Sequence, residues 1–201
     1  MGNTNVAKLE NHTHNINYVL LSVAYIKNLK ENECFAKIGD IGIGLSEITY
    51  ADQTRTDFHR ITLDEISEFD MPFVDLLRCA YNNTRGLCDV SFSAEDSMPA
   101  PLPSGEPVYH LTDKLYIAGS AVILLKDLQE EIANKLGGSY YILPLSVRDL
   151  VIVKVGAADV KMLKDVLSLV NKSGLIMSEE DLLSEHIFVY NRNTGILSMI
   201  E

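Results

Sequence analysis

Apolar residues recur with two different periods along this chain, and the period indicates the type of each element. Spacings of three and four residues predict amphipathic helices over 71–81, 125–136 and 158–171. Short apolar runs rich in β-branched and aromatic residues predict strands instead. The predicted strands are 17–23, 36–49, 57–62, 108–111, 120–124, 140–143, 150–155, 186–190 and 195–200.

Capping residues and turn residues set the expected ends of these elements. Thr62 and Glu65 fit a capping box for a short helix that ends near Phe69. Asn82 and Asn83 are expected to end the helix over 71–81. Gly137 or Gly138 is expected to end the helix over 125–136 by adopting a positive φ.

Three further segments carry more local expectations. The segment 36–49 is interpreted as one strand, bulged at a glycine. Ser146 and Asp149 fit the cap of a single helical turn. A short helix is predicted over 24–31, and Ser178 is expected to cap another short helix.

Proline divides the chain into two predicted lobes. Four of the six prolines fall within 85–107, where fixed φ and missing N–H donors disfavour regular structure. We interpret 85–107 as a linker between an N-terminal lobe, 16–84, and a C-terminal lobe, 108–201, with 1–15 as a flexible tail. The predicted fold class is α+β with two small lobes. The C-terminal lobe is expected to be a mixed or antiparallel sheet packed by two to three helices.

The net charge of the chain limits the classes of partner that it is expected to bind. The chain has 28 acidic and 17 basic residues and a formal net charge of −11. This charge opposes direct binding to nucleic acid or to an anionic membrane, because phosphates attract lysine and arginine. We therefore expect a protein partner with a basic surface, and neither nucleic acid nor membrane as a direct ligand.

The cysteine content favours a reducing compartment. The chain has three cysteines, at positions 34, 79 and 88, and no pair has CxxC spacing. Reduced thiols of this kind are typical of cytoplasmic proteins. No apolar run approaches the length of a membrane span, about 18 residues. We expect a cytoplasmic protein, and Cys88 in the linker has no assigned role.

The motifs of catalysis and cofactor binding are not found in the sequence. No phosphate-binding loop, nucleophile elbow or HExxH helix is present. We therefore predict no catalytic residue, no metal site and no cofactor. The alternative is a hydrolase whose acid–base site lies around Glu185, His186 and His110.

Tyrosine and arginine residues around a strand–turn–strand corner are the candidate binding residues. Tyr140, Tyr141 and Arg148 lie there, and tyrosine suits interfaces because it has an apolar body and a polar tip. Of the two tyrosines, one is expected to face the core and the other to face outward.

The C-terminal part also shows a family resemblance. The residues that carry it are Gly119-Ser120-Ala121-Val122, Leu136-Gly137, Tyr141-Ile142-Leu143-Pro144, Leu169-Val170-Asn171 and Leu183-Ser184-Glu185-His186-Ile187-Phe188-Val189-Tyr190. They resemble a family of uncharacterised proteins of Gram-positive, gut-associated bacteria, with a weaker match over 66–84. Leu145 stands where the family commonly has serine, and we find no counterpart of the family's further N-terminal portion, so a shortened or divergent member is expected. The resemblance implies a fold and a compartment but no mechanism.

The sequence thus favours a non-catalytic, cytoplasmic protein-binding or regulatory module. One specific version is an inhibitor encoded on a mobile element, similar to the anti-CRISPR proteins, whose acidic face mimics nucleic acid. The hydrolase remains the alternative.

Overall fold

Two antiparallel sheets and several helices form the protein, so the predicted α+β fold with two lobes is confirmed. The computed structural model describes residues 15–22, 33, 35–51, 56–87, 93–95, 102, 104–112, 119–173 and 181–201. The predicted tail before residue 15, the helix over 24–31, Cys88 and the Ser178 cap lie outside these residues.

The first sheet, sheet A, is built around one long central strand. The strands of sheet A are β1 (Ile16–Leu21), β2 (Ala36–Ile38), β3 (Ile41–Ala51) and β4 (Thr56–Ile61). Strand β1 pairs with one side of β3, and β2 and β4 pair in succession with the other side. All of these pairings are antiparallel.

The prediction of a single strand over 36–49 is wrong, because this segment is a hairpin. The chain reverses at Gly39 and Asp40, and Lys37 then faces Gly42 across the pair β2–β3. Gly39 has a φ of 58°, which glycine adopts without steric cost. A Cβ at Gly39 would also lie 2.8 Å from the Cβ of Met199. Turn geometry and close packing therefore both require glycine here.

Two helices follow sheet A in the chain. They are α1 (Leu63–Ile66) and α2 (Phe73–Leu87). The capping box of α1 is confirmed, because Thr62 and Glu65 exchange both of its hydrogen bonds. Leu76 and Ala80 of α2 are fully buried against Ile16, Leu45 and Ile61 of sheet A.

Helix α2 continues past Asn82 and Asn83, so its predicted end is wrong. The Asn83 side chain donates to the carbonyl of Ile16 at 2.8 Å. The Tyr18 backbone N–H donates to the Thr84 hydroxyl at 3.0 Å. These bonds join the last turns of α2 to the outer edge of β1, and this tertiary contact outweighs the weak helix propensity of asparagine.

The second sheet, sheet B, has six strands in the order β10-β9-β7-β8-β6-β5. Every neighbouring pair is antiparallel. The strands of sheet B are β5 (Ser93–Glu95), β6 (Val108–Thr112), β7 (Tyr140–Leu143), β8 (Asp149–Lys154), β9 (Ile187–Asn191) and β10 (Ile196–Ile200). The predicted terminal hairpin is β9–β10. Strand β5 lies within the predicted linker, which is therefore not wholly irregular.

The strand predicted over 120–124 is also wrong, since Gly119–Leu124 is a 3-10 helix. Gly119 to Ile123 are all buried, and a short apolar run that is buried all round has no period to separate strand from helix. The Ser120 hydroxyl donates to the carbonyl of Val147 at 2.6 Å and anchors the segment.

Helices α3 (Lys126–Leu136) and α4 (Val160–Lys172) pack with different core clusters of sheet B. Gly137 ends α3 with a φ of 70°, as predicted. Ser146 and Asp149, however, bond each other within the turn between β7 and β8, and no helical turn forms there. Strand β8 begins at Asp149 itself, so the pairing of Asp149 with Thr112 of β6 replaces the expected helical turn.

The largest apolar cluster joins the two sheets. It contains Leu20 and Ile41 of sheet A together with Ile142 and Ile152 of sheet B and the buried face of α3. A second cluster packs Leu163 and Leu167 of α4 on sheet B. The two lobes thus share a core, and the linker boundaries stay a prediction. Within the described ranges, no helix combines the length and apolar character that a membrane crossing needs.

Candidate functional site

A cavity of about 550 Å³ opens beside α1, where sheet A meets the loop that leads to α2. This acidic cavity, as we call it, has a volume typical of small-ligand sites. It is lined by Glu47, His59, Ile61, Glu65, Glu68, Phe69, Asp70 and Met71.

Strand pairing brings the first lining residues together. Glu47 of β3 and His59 of β4 face each other in register, with Leu45 and Ile61 two positions along on the same face. Leu45 and Ile61 belong to the core under α2. The sheet therefore changes from core to cavity within two residues of each strand.

The capping box fixes the position of Glu65 in the cavity wall. The backbone N–H and the hydroxyl of Thr62 both donate to Glu65 Oε2, at 2.8 and 2.9 Å. The other carboxylate oxygen, Oε1, lies 2.8 Å from His59 Nε2. A single carboxylate thus caps α1 and orients the imidazole.

The ionisable side chains that line the cavity are mainly acidic. The pKa of Glu65 is lowered, first because the Thr62 backbone N–H donates to the carboxylate and then because His59 and the Thr62 hydroxyl do. Three more carboxylates line the cavity, and among its described lining residues none is lysine or arginine. Phe69 and Met71 supply apolar wall. The arrangement can accept a cationic group carried on an aliphatic stem.

The sequence predicted the capping box but not the cavity around it. The missing step was the pairing of β3 with β4, which sets Glu47 opposite His59. No group of three or more histidine, cysteine, aspartate or glutamate side chains in the described part of the chain has the arrangement of a metal site.

The candidate binding residues do not form one surface. Tyr140 is fully buried and stacks on Tyr190, with ring centroids 5.1 Å apart. Burial raises the pKa of Tyr140 far above its usual value. Of the two tyrosines, Tyr140 is therefore the one that faces the core, as one of the pair was expected to do. Tyr141 is half-buried in the cluster with α4, and Arg148 is exposed in the turn at the other end of β7.

The residues of the alternative hydrolase site are separated. His110 lies in register with Val151 and Leu143 across sheet B, and these two residues belong to the cluster with α4. Its Nε2 atom lies 3.6 Å from Asp149 Oδ1. His186 pairs with Asp40 in the β2–β3 turn, Nδ1 to Oδ2 at 2.9 Å. Strands β7 and β8 lie between β6, which carries His110, and β9, which begins directly after His186.

The group Asp40, Ser184 and His186 is a link between the sheets. Ser184 is 2% exposed, and its hydroxyl donates to both Asp40 oxygens at 2.8 and 2.9 Å. A serine nucleophile would have to donate to the imidazole instead. We therefore assign these contacts to the attachment of the β2–β3 turn to sheet B.

Comparison with known proteins identifies the family of the chain. No curated protein and no solved structure matches the chain. The model of one protein family matches residues 2–192, which include both sheets up to the end of β9 and the whole acidic cavity. The resemblance to an uncharacterised family is thereby confirmed, and the chain belongs to a family of unknown function, DUF5688.

Proposed function

We propose that this protein is a non-catalytic binding module whose acidic cavity receives lysine or arginine side chains of a basic partner protein. The observation that supports the proposal is the lining of the cavity. Glu47, Glu65, Glu68 and Asp70 surround it, and Ile61, Phe69 and Met71 provide apolar contact. A lysine or arginine side chain matches both features, since its stem is apolar and its end is charged.

Fixed geometry strengthens the proposal. Glu65 is held by Thr62 before any ligand arrives, so little side-chain freedom is lost on binding. Phe69 adds an aromatic ring, and aromatic faces attract guanidinium and ammonium groups. Charge over the whole chain, −11, attracts a basic partner from a distance and raises its association rate.

The setting that we propose is regulatory and cytoplasmic. Three cysteines without CxxC spacing support a reducing compartment. In the most specific form of this proposal, the protein is an inhibitor carried by a mobile element. Its acidic face then occupies a groove made for nucleic acid. The excess of 28 acidic over 17 basic residues supports that form.

Binding of a labelled arginine- and lysine-rich peptide, measured by fluorescence anisotropy, tests the cavity. The double variant Glu68→Gln/Asp70→Asn removes two cavity charges and leaves the capping box intact. Exposed ion pairs contribute roughly 0.2–1 kcal/mol each, so we expect the loss of two charges to raise the dissociation constant about two- to thirtyfold. Salt should weaken binding of the unsubstituted protein, mainly through slower association.

The control is Glu185→Gln, which removes one charge outside the cavity. Glu185 is exposed and lies just before β9, beside the β2–β3 turn. The cavity residue Glu47 is distant from that turn, because it lies six positions beyond Ile41, the first residue of β3. The control changes the net charge far from the cavity and should alter the dissociation constant less than about twofold. Equal weakening by both variants would contradict the cavity as the site. Tight binding of a glutamate-rich peptide or of nucleic acid would contradict the preference for cations.

A further inference from the structure

Strand β10 is an open edge of sheet B. It ends the strand order, and among the described residues it pairs only with β9. Half of the backbone N–H and C=O groups of an edge strand point away from the sheet, ready to pair with another strand. The opposite edge, β5, spans only three residues, so it offers a much shorter template.

The usual protections of an edge are missing from β10. Its sequence is Ile-Leu-Ser-Met-Ile, which has no charge and no proline. Its register with β9 is continuous over all five pairs, so no bulge twists the edge away. Ile196 is 57% exposed. A regular, apolar and partly exposed edge of this kind favours strand addition.

The strand is also complementary to itself. If two copies of β10 run antiparallel about Ser198, then Ile196 faces the partner's Ile200 and Leu197 faces the partner's Met199. Ser198 faces the same residue of the second copy. Apolar side chains thus meet apolar side chains on both faces of the sheet, and a two-fold axis needs this kind of self-matching surface.

We propose that β10 is a homodimer interface, in which two copies of this chain join their six-stranded sheets into one continuous sheet. The contact is separate from the acidic cavity, which lies on sheet A. Five paired residues bury less area than a standard interface of about 1,600 Å². The dimer should therefore be weak and should form as protein concentration rises.

Salt should affect the dimer and the cavity in opposite directions. Each copy carries a net charge of −11, so two copies repel at long range, and β10 itself has no charge. Added salt screens this repulsion and should strengthen the dimer. The same salt weakens binding of a cationic peptide in the cavity. A failure of one proposal is therefore distinguishable from a failure of the other.

A charge exchange at Ser198 tests the interface by analytical ultracentrifugation, with concentration varied from about 10 μM to about 1 mM. Ser198 is exposed, so substitution there leaves the core unchanged. Ser198→Lys alone and Ser198→Asp alone should each be monomeric, because two like charges would face each other across the axis. An equimolar mixture of the two variants should recover the dimer. Thr194→Lys, in the β9–β10 loop, should dimerise as the unsubstituted protein does.

Several results would overturn the proposal. One is an unsubstituted protein that stays monomeric over the whole range. Another is a dimer that persists in Ser198→Lys, which would place the interface elsewhere. A third is failure of the mixture to associate while each variant retains the circular dichroism spectrum of the unsubstituted protein. Association only with a different protein would replace the second copy as the occupant of the edge.

Discussion

The side chain of Glu65 makes two sets of structural contacts, one through each carboxylate oxygen. Its Oε2 accepts two hydrogen bonds from Thr62, and its Oε1 lies against His59. Because these donors favour the ionised carboxylate, its pKa in the folded protein is lowered. The charge of Glu65 therefore stabilises the fold above the ordinary glutamate pKa of about 4.3. That stabilisation is lost as pH falls through the lowered pKa.

Glu65→Gln should make this contribution measurable. Glutamine also suits a capping box, so the substitution removes the charge and keeps the cap. We expect the free energy of unfolding to drop by at most about 1 kcal/mol near pH 5, because the carboxylate is 38% exposed and water screens it. The difference from the unsubstituted protein should shrink below about pH 4. Urea unfolding at several pH values measures it.

Glu68→Gln is the matched control, since Glu68 lines the same cavity outside the capping box. Its effect on stability near pH 5 should be smaller, because the Glu68 carboxylate takes no part in the capping box. A loss in Glu65→Gln that is the same at pH 3 as at pH 5 would contradict the assignment.

Residue patterns predicted local chemistry but not distant contacts. The capping box of Thr62 and Glu65 was read correctly because its two residues are three positions apart. Asp40 and His186 are 146 positions apart, and no local pattern connects them. The acidic cavity needed the register of β3 and β4 in the same way.

Helix α4 illustrates an element whose burial follows from its spacing. Leu163 and Leu167 are its buried residues, whereas Leu169 is 58% exposed. Leu163→Ala should lower the free energy of unfolding by about 2–5 kcal/mol, because it leaves a cavity under the helix. Leu169→Ala should change it by less than about 0.5 kcal/mol. Thermal and urea unfolding of both variants make the comparison, and a loss under about 1 kcal/mol for Leu163→Ala would contradict the packing of α4.

Elements were predicted well where periodicity and caps agreed, and poorly where tertiary contacts decided. Helices α3 and α4 have both amphipathic spacing and defined ends. The end of α2 depends on Asn83 and Thr84 bonding to β1, which lies more than sixty residues earlier in the chain. The hairpin at Gly39 had a signal in its Gly-Asp pair, since that pair is typical of two-residue turns.

At the scale of the molecule, the shared core should make the two sheets unfold together. Ile41 of sheet A is 6% exposed and lies in the cluster that contains Ile142 and Ile152 of sheet B. Ile41→Ala should lower the free energy of unfolding by about 2–5 kcal/mol, because it leaves a cavity in the shared core. Hydrogen exchange should then show equal losses of protection in β3 and in β8.

Leu169→Ala is the control, since Leu169 is largely exposed. It should leave exchange in both sheets nearly unchanged. Loss of protection confined to sheet A would instead mean that the two lobes unfold independently.

The net charge was readable from composition, but its location was not. The sequence predicted a basic partner, and the fold then concentrated four carboxylates around one cavity. Composition counts charges over the whole surface, whereas a binding site depends on which strands become neighbours.

The stacked pair Tyr140 and Tyr190 also has a spectroscopic consequence. The chain has no tryptophan, so its near-ultraviolet absorption above the phenylalanine bands comes from its nine tyrosines. Two of these are held nearly parallel, 25° apart, across β7 and β9 in the shared core. Fixed aromatic pairs in a chiral packing give near-ultraviolet circular dichroism that is lost when side-chain packing is lost. The near-ultraviolet circular dichroism of this tyrosine pair should therefore report on side-chain packing where the two sheets meet, with no label required.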